Sequence, residues 1–114
     1  MNLRLLASML TVLCSWVVWE KWIVHEVEHK KVIEAVFEGN SLSECRAAIP
    51  DLVKQRAAKF IQTYKQEPEY YVLSNEISVI LSRRGKKGEK DGGAVQQYIY
   101  YCLPFAVDPY NDSR

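Results

Sequence analysis

The chain has 114 residues, the length of a single domain, and its hydrophobic fraction of 48% excludes an intrinsically disordered protein. Five Gly and four Pro exclude a collagen or a low-complexity scaffold. The 15 Lys and Arg nearly balance the 14 Asp and Glu, so no overall field attracts nucleic acid, and we expect no nucleic-acid partner.

The first 15 residues have the pattern of a secretory signal peptide. A basic start at Arg4 precedes an apolar run from Leu5 to Leu13, and Cys14 and Ser15 follow. A charged, an apolar and a small-residue region in this order are typical of such a signal. We therefore predict residues 1–15 as the signal peptide, residues 16–109 as one α+β domain, and residues 110–114 as a frayed tail.

A membrane anchor over about residues 3–24 is the alternative for the same segment. The apolar run from Leu5 to Trp19 falls short of the about 20 residues that span a bilayer, and Glu20 and Lys21 interrupt it. Removal of the segment would place the protein in the periplasm or outside the cell. Retention would leave it anchored in the inner membrane, in contact with the membrane through this segment only.

Three cysteines are present, at positions 14, 45 and 102. Loss of Cys14 with the signal would leave Cys45 and Cys102, and two cysteines in an exported domain favour one disulfide. That bridge would enclose half of the chain and contribute on the order of 3–4 kcal/mol by restricting the unfolded state. Two buried, reduced thiols are the alternative.

Two strands are predicted before the first helix. The segment Trp16–Val24 is aromatic and β-branched, and Val32–Glu38 follows with Ile33, Ala35 and Phe37 on one face. The polar stretch 25–31 separates them, which predicts a hairpin.

The polar stretch holds the string His25-Glu26-Val27-Glu28-His29, which matches the zinc-peptidase motif H-E-x-x-H. On a helix this spacing places both imidazoles on one face to hold Zn²⁺, while the Glu polarises a bound water. In extended chain His25 and His29 lie about 13 Å apart, too far for one ion. A third ligand would have to be a carboxylate such as Glu67, Glu69 or Glu76. A minimal zinc hydrolase is therefore an alternative, and we predict a solvated turn and no cofactor.

A helix is predicted next. Ser41 and Glu44 fit the capping box, in which both side chains accept hydrogen bonds from free backbone N–H groups. Pro50 should kink or restart this helix because proline removes a backbone hydrogen bond. Beyond it, apolar residues at helical spacing predict a stripe that faces the core: Val53, Ala57, Phe60, Ile61 and Tyr64.

Two more strands complete the domain. Tyr70–Ser82 is predicted as one strand with a bend at Ser74–Asn75, and Ala94–Leu103 as another, with Tyr98, Tyr100 and Cys102 on one face. The order β-β-α-β-β predicts an α+β fold, a small two-layer sandwich in which one kinked helix packs on an antiparallel sheet. In that arrangement Cys45, in the first helical turn, can reach Cys102.

The turn between these strands is basic, with Arg83, Arg84, Lys86 and Lys87 as candidate contacts for phosphate groups. A solubilising hairpin loop is the simpler interpretation. No nucleophile motif such as G-x-S-x-G and no C-x-x-C occurs, so we predict no catalytic residues. The many Trp and Tyr residues either fill the core or form a face that binds a peptide or glycan.

Four short motifs carry a resemblance to a protein family. They are W-V-V-W-E at Trp16–Glu20, Glu44–Cys45 at the helix start, Cys102–Pro104, and Asp108–Pro109. The pattern resembles short uncharacterised exported bacterial proteins with a signal peptide, a W-V-x-W-E strand, a Cys-bearing helix and a terminal C-L-P-x-x-x-D-P. The resemblance implies export and a Cys45–Cys102 disulfide, and it carries no information about catalysis. The expected function is a non-catalytic binding or accessory module for an envelope protein or a cell-surface component.

Overall fold

One long helix packs on a five-stranded antiparallel sheet in the computed structural model, which describes residues 15–25, 30–85 and 92–111. The strand order is β2-β1-β5-β4-β3. The predicted α+β class, with its antiparallel sheet and single helix, is confirmed. The elements in chain order are β1 (Trp16–Val24), β2 (Lys30–Gly39), α1 (Leu42–Tyr64), β3 (Tyr70–Ser74), β4 (Ser78–Arg83), β5 (Gly93–Pro104) and a short 3₁₀ turn (Pro109–Asn111).

The segment predicted as one bent strand, Tyr70–Ser82, is instead a hairpin of β3 and β4, which makes the order β-β-α-β-β-β. Asn75 reverses the chain. Its side-chain Oδ1 accepts hydrogen bonds from the backbone N–H of Ile77 at 2.9 Å and of Ser78 at 2.8 Å, and from Ser78 Oγ at 3.0 Å. An Asn side chain that bonds the backbone two residues on is a common way to form a turn, so the predicted bend at Ser74–Asn75 is a full reversal.

Helix α1 begins as predicted, with Ser41 as its N-cap. Ser41 Oγ accepts the Glu44 N–H at 3.1 Å, whereas the Glu44 carboxylate accepts the N–H of Asn40, one residue before the cap, at 2.7 Å. Gly39 permits this tight entry because a Cβ there would lie 3.1 Å from the Cβ of Glu44. The helix does not restart at Pro50, which is exposed, so water can replace the lost backbone bond.

The core lies between α1 and one face of the sheet. Val53 and Phe60 of the predicted stripe are buried, and Ala57 and Tyr64 pack against them. The prediction for Ile61 is wrong, since this side chain is 59% exposed. Residues spaced by about four along α1 already face the sheet, and Ile61 lies about 100° around the helix from Phe60. The strands contribute Val18, Val79, Leu81, Val95 and Tyr100 to this core cluster.

A disulfide joins Cys45, in the first turn of α1, to Cys102 in β5, with 6.2 Å between their Cα atoms. The predicted pairing is therefore present, and it ties the helix to a central strand. The alternative of two reduced thiols does not describe this structure. Cys45 is fully buried, so the bridge belongs to the core.

The C-terminal 3₁₀ turn reaches past the predicted domain end at residue 109. Pro109 is buried, and the hydroxyl of Tyr110 donates a 2.7 Å hydrogen bond to the carbonyl of Ile33 in β2. This hydrogen bond connects Tyr110, whose side chain is 65% exposed, to the sheet. Residues 112–114 lie outside the described part of the chain.

Candidate functional site

A buried polar cluster lies between α1 and the sheet. The carboxylate of Glu20, in β1, accepts a 2.7 Å hydrogen bond from the hydroxyl of Tyr100 in β5. Arg56, from α1, approaches the same carboxylate at 3.3 Å and forms an ion pair with it. Tyr100 is 1% exposed. Because the two partners of this carboxylate come from different elements, the cluster locks helix to sheet.

Burial and the hydrogen bond to Glu20 raise the pKa of Tyr100 above its ordinary value. Burial also raises the pKa of Tyr98, against the opposing charge of Arg56, whose guanidinium lies 3.9 Å from the centre of the Tyr98 ring. Trp22 stacks beside the same ring, with 6.1 Å between its ring centre and that of Tyr98. Both tyrosines are thus held in the neutral, protonated form.

The opposite face of the sheet, named here the open face, carries the side chains of Trp19, Lys21, Ile33, Ile99 and Tyr101. Trp19 lies opposite Tyr101, and Lys21 opposite both isoleucines, so these side chains share one face. Each is half-buried, whereas Glu20 and Tyr100, one step along their strands, are buried under the helix. Some aromatic rings therefore belong to the core under the helix, and others lie half-buried on the open face.

The open face holds a cavity of about 450 Å³. The 3₁₀ turn covers part of it through Pro109 and Tyr110. On the same face, the indole Nε1 of Trp19 is buried without a hydrogen-bond partner among the described residues. The cavity mixes two cations with apolar and aromatic groups: Lys21, Lys31, Ile33, Tyr101, Pro109 and Tyr110.

A second cavity, of about 600 Å³, lies between the N-terminal half of α1 and β5 and is named here the edge groove. Leu42, Ile49 and Pro50 form its helical wall, and the exposed side chain of Ile77 closes one end. The groove lies beside the part of β5 that continues past Ile99, which is opposite Ser78, the first residue of β4.

The structure places the predicted metal ligands only in part. His25 lies just after β1 and is exposed; its Nε2 is 3.4 Å from the side-chain oxygen of Gln97. His29 and residues 26–28 lie outside the described residues. Within residues 15–25, 30–85 and 92–111, no three metal-ligating side chains cluster, and this range includes Glu67, Glu69 and Glu76.

The basic turn is described as far as residue 85. Arg83 and Arg84 are exposed, and the Arg84 guanidinium lies 5.0 Å from the centre of the Tyr71 ring. The backbone N–H of Arg84 also bonds the carbonyl of Glu69, so this arginine is anchored at the sheet edge. Lys86 and Lys87 fall in the part that the structure does not describe, so the basic cluster stays a prediction.

Sequence reasoning missed the polar cluster of Glu20 and Arg56. One signal was present, because Glu20 occupies the same face of β1 as Val18 and Trp22, where an apolar residue is expected. A carboxylate at such a position needs a buried partner. Nothing in the sequence named Arg56, which is 36 residues away.

No protein-family model matches this chain, and neither a curated protein nor a solved structure is similar to it. In residues 15–25, 30–85 and 92–111, no helix has the length and apolar character needed to cross a membrane.

Proposed function

We propose that this chain is a small exported protein of the cell envelope, a disulfide-stapled module that binds a partner and catalyses no reaction. The observation that carries the proposal is the bridge between Cys45 and Cys102. Disulfides persist in oxidising compartments and are rare in the cytosol. A bridge that closes half of a small domain favours a protein that must fold and last outside the cytoplasm.

The N-terminal sequence supports the same proposal. Arg4, the apolar run from Leu5 to Leu13, and Ser15 have the order of a signal peptide. The buried carboxylate of Glu20 is engaged by the fold itself, because its hydrogen bond with Tyr100 and its ion pair with Arg56 use both of its oxygens. A general base needs a carboxylate that can accept a proton from a substrate.

The test is the intact mass of the protein recovered from a native-type host, alkylated before and after reduction. We expect a mass that begins near Trp16, with Cys45 and Cys102 protected from alkylation until the bridge is reduced. A full-length mass with all three thiols open to alkylation in the native protein would contradict export. A matched sample made in the cytosol of a reducing host supplies the unprocessed, reduced reference.

One observation favours the anchored form as a second candidate. Ser15 is buried, and its carbonyl accepts a 3.0 Å hydrogen bond from the N–H of Phe105, beyond the end of β5. Cleavage after Ser15 would remove this acceptor, so the N–H of Phe105 keeps its hydrogen bond only when Ser15 is retained. If the N-terminal segment is retained, the full-length protein should remain in the membrane pellet after a carbonate wash. A soluble fraction beginning near Trp16 would contradict this candidate.

A further inference from the structure

The C-terminal part of β5 extends beyond β4, so one of its two edges has no neighbouring strand among the described residues. The N–H of Tyr100 bonds the carbonyl of Ile77 at 2.8 Å, so the backbone of Tyr100 points toward the β4 side. Backbone groups of a strand alternate between its two edges, so those of Cys102 also point toward that side. No described strand lies there, since β4 pairs with β5 only up to Ile99. The N–H and C=O of Cys102 therefore face the edge groove.

The other edge of the same stretch is paired. Tyr101 and Leu103 point toward β1, where they lie opposite Trp19 and Val17. The part of the edge groove beside Tyr101–Pro104 is about 13 Å long, at about 3.3 Å for each residue. It is bounded by the apolar wall of α1, by Ile77 at one end and by the turn after Pro104 at the other, where the Pro104 carbonyl bonds the N–H of Val107.

The outer edges of the sheet are less suited to pairing. The edge strand β2 carries charged residues such as Lys31, and the carbonyl of Ile33 already accepts a hydrogen bond from the Tyr110 hydroxyl. The edge strand β3 has only five residues. Charged or short edge strands resist the addition of another strand. The edge groove combines an unpaired backbone with apolar walls, and its two charges, Arg46 and Glu76, are opposite in sign.

We propose that the edge groove binds an extended, uncharged peptide segment of a partner protein, which adds a short strand beside β5. The backbone of the segment pairs with the N–H and C=O of Cys102. Alternate side chains, small and apolar, pack on Leu42 and Ile49. This inference rests on the proposed binding function and names the chemical class of the partner.

The disulfide takes part in this site through its position. Cys102 lines the edge groove, and its side chain holds the first turn of α1 against β5. The helical wall and the strand edge are therefore kept at a set spacing. A preformed groove of this kind reduces the conformational entropy that is lost when a peptide binds.

The first measurement is amide hydrogen exchange in the full oxidised chain without ligand. We expect the amide of Cys102 to exchange at least tenfold faster than those of Tyr101 and Leu103, which pair with β1. Equal protection at all three amides would overturn the proposal, because the edge would then be occupied by the chain itself. Protection of Cys102 that rises with protein concentration would overturn it in favour of a second copy.

The second measurement uses a displayed library of random seven-residue peptides, selected on the oxidised protein. We expect enriched peptides that are uncharged and protect the Cys102 amide. The Ile77→Trp substitution fills the groove at a side chain that is 51% exposed, and it should lower the affinity for these peptides at least tenfold. The control Ile61→Trp, at an exposed position on α1 outside the groove, should leave the affinity unchanged. N-methylation of the peptide backbone at the residue facing Cys102 should abolish binding.

The remaining outcomes count against the proposal. No enrichment, or enriched peptides that bind Ile77→Trp and Ile61→Trp proteins equally well, would overturn it. The expected tenfold loss requires that the Ile77→Trp protein keeps the amide spectrum of the wild type outside the groove; if it does not, Pro50→Trp replaces it as the filling variant. Each of these failures leaves the mass measurement of export unaffected, so the two proposals are tested separately.

Discussion

The two faces of the sheet differ although their residues are neighbours in sequence. Toward the helix, Glu20 and Tyr100 are buried, hydrogen-bonded to each other and paired with Arg56. On the open face, Lys21 and Tyr101 are half-buried beside a cavity. Side chains of a strand alternate between its two faces, so neighbours in sequence such as Glu20 and Lys21 differ in burial. The stability of the fold should therefore depend on one face far more than on the other.

The largest expected effect comes from the bridge on the helix-covered face. Replacing both Cys45 and Cys102 with Ala should lower the free energy of unfolding by about 3–4 kcal/mol, because the unfolded chain regains the freedom of a loop that spans half its length. Denaturant unfolding of the oxidised protein measures the loss. Wild-type protein kept reduced should show a midpoint similar to that of the double variant. A double variant with the midpoint of the oxidised wild type would show that the bridge adds nothing.

Glu20 and Lys21 provide the direct comparison of the two faces. Glu20→Gln should lower the free energy of unfolding by about 1–3 kcal/mol, since Arg56 and Tyr100 lose a charged hydrogen-bond acceptor. Lys21→Gln, one residue along, should change it by no more than about 0.5 kcal/mol. Equal losses in the two variants, measured by urea unfolding at neutral pH, would show that the faces do not differ in this way.

The smallest expected effect concerns the neighbouring tyrosines and appears in alkali. The pKa of Tyr100 is raised in the folded state, so its contribution is complete below the unfolded value of about 10 and is lost as the pH rises above it. The free energy of unfolding should therefore begin to fall at about pH 10 and continue to fall as the pH approaches the raised pKa of Tyr100. Tyr100→Phe should cost about 1–2 kcal/mol at neutral pH and reduce that fall.

Tyr101→Phe is the matched control for the alkaline measurement. It removes a hydroxyl on the open face and leaves the hydrogen bond between Tyr100 and Glu20 in place, so the alkaline decline caused by Tyr100 should remain. A slope that responds equally to both substitutions, followed by denaturant unfolding at each pH, would place the alkaline sensitivity elsewhere in the molecule. Tyr98, whose pKa is also raised, should maintain a part of the slope in both variants.

Local patterns alone were sufficient for most of the fold. Aromatic and β-branched runs predicted β1, β2 and β5 to within two residues at each end, and Ser41 marked the start of α1. Alternation along β5 was enough to assign Tyr100 and Tyr101 to opposite faces of the sheet. These features depend on neighbours in sequence, through backbone capping and the two-residue period of a strand. The order of elements then predicted the two layers and the reach of Cys45 to Cys102.

Contacts between distant residues decided the rest. The pairing of Glu20 with Arg56 and the exposure of Ile61 depend on which face or element a residue meets after folding. The free edge beside Cys102 exists because β4 begins at Ser78, opposite Ile99, while β5 continues to Pro104. A strand carries no local signal for the length of its neighbour, so only the tertiary structure determines where a sheet leaves its backbone unpaired.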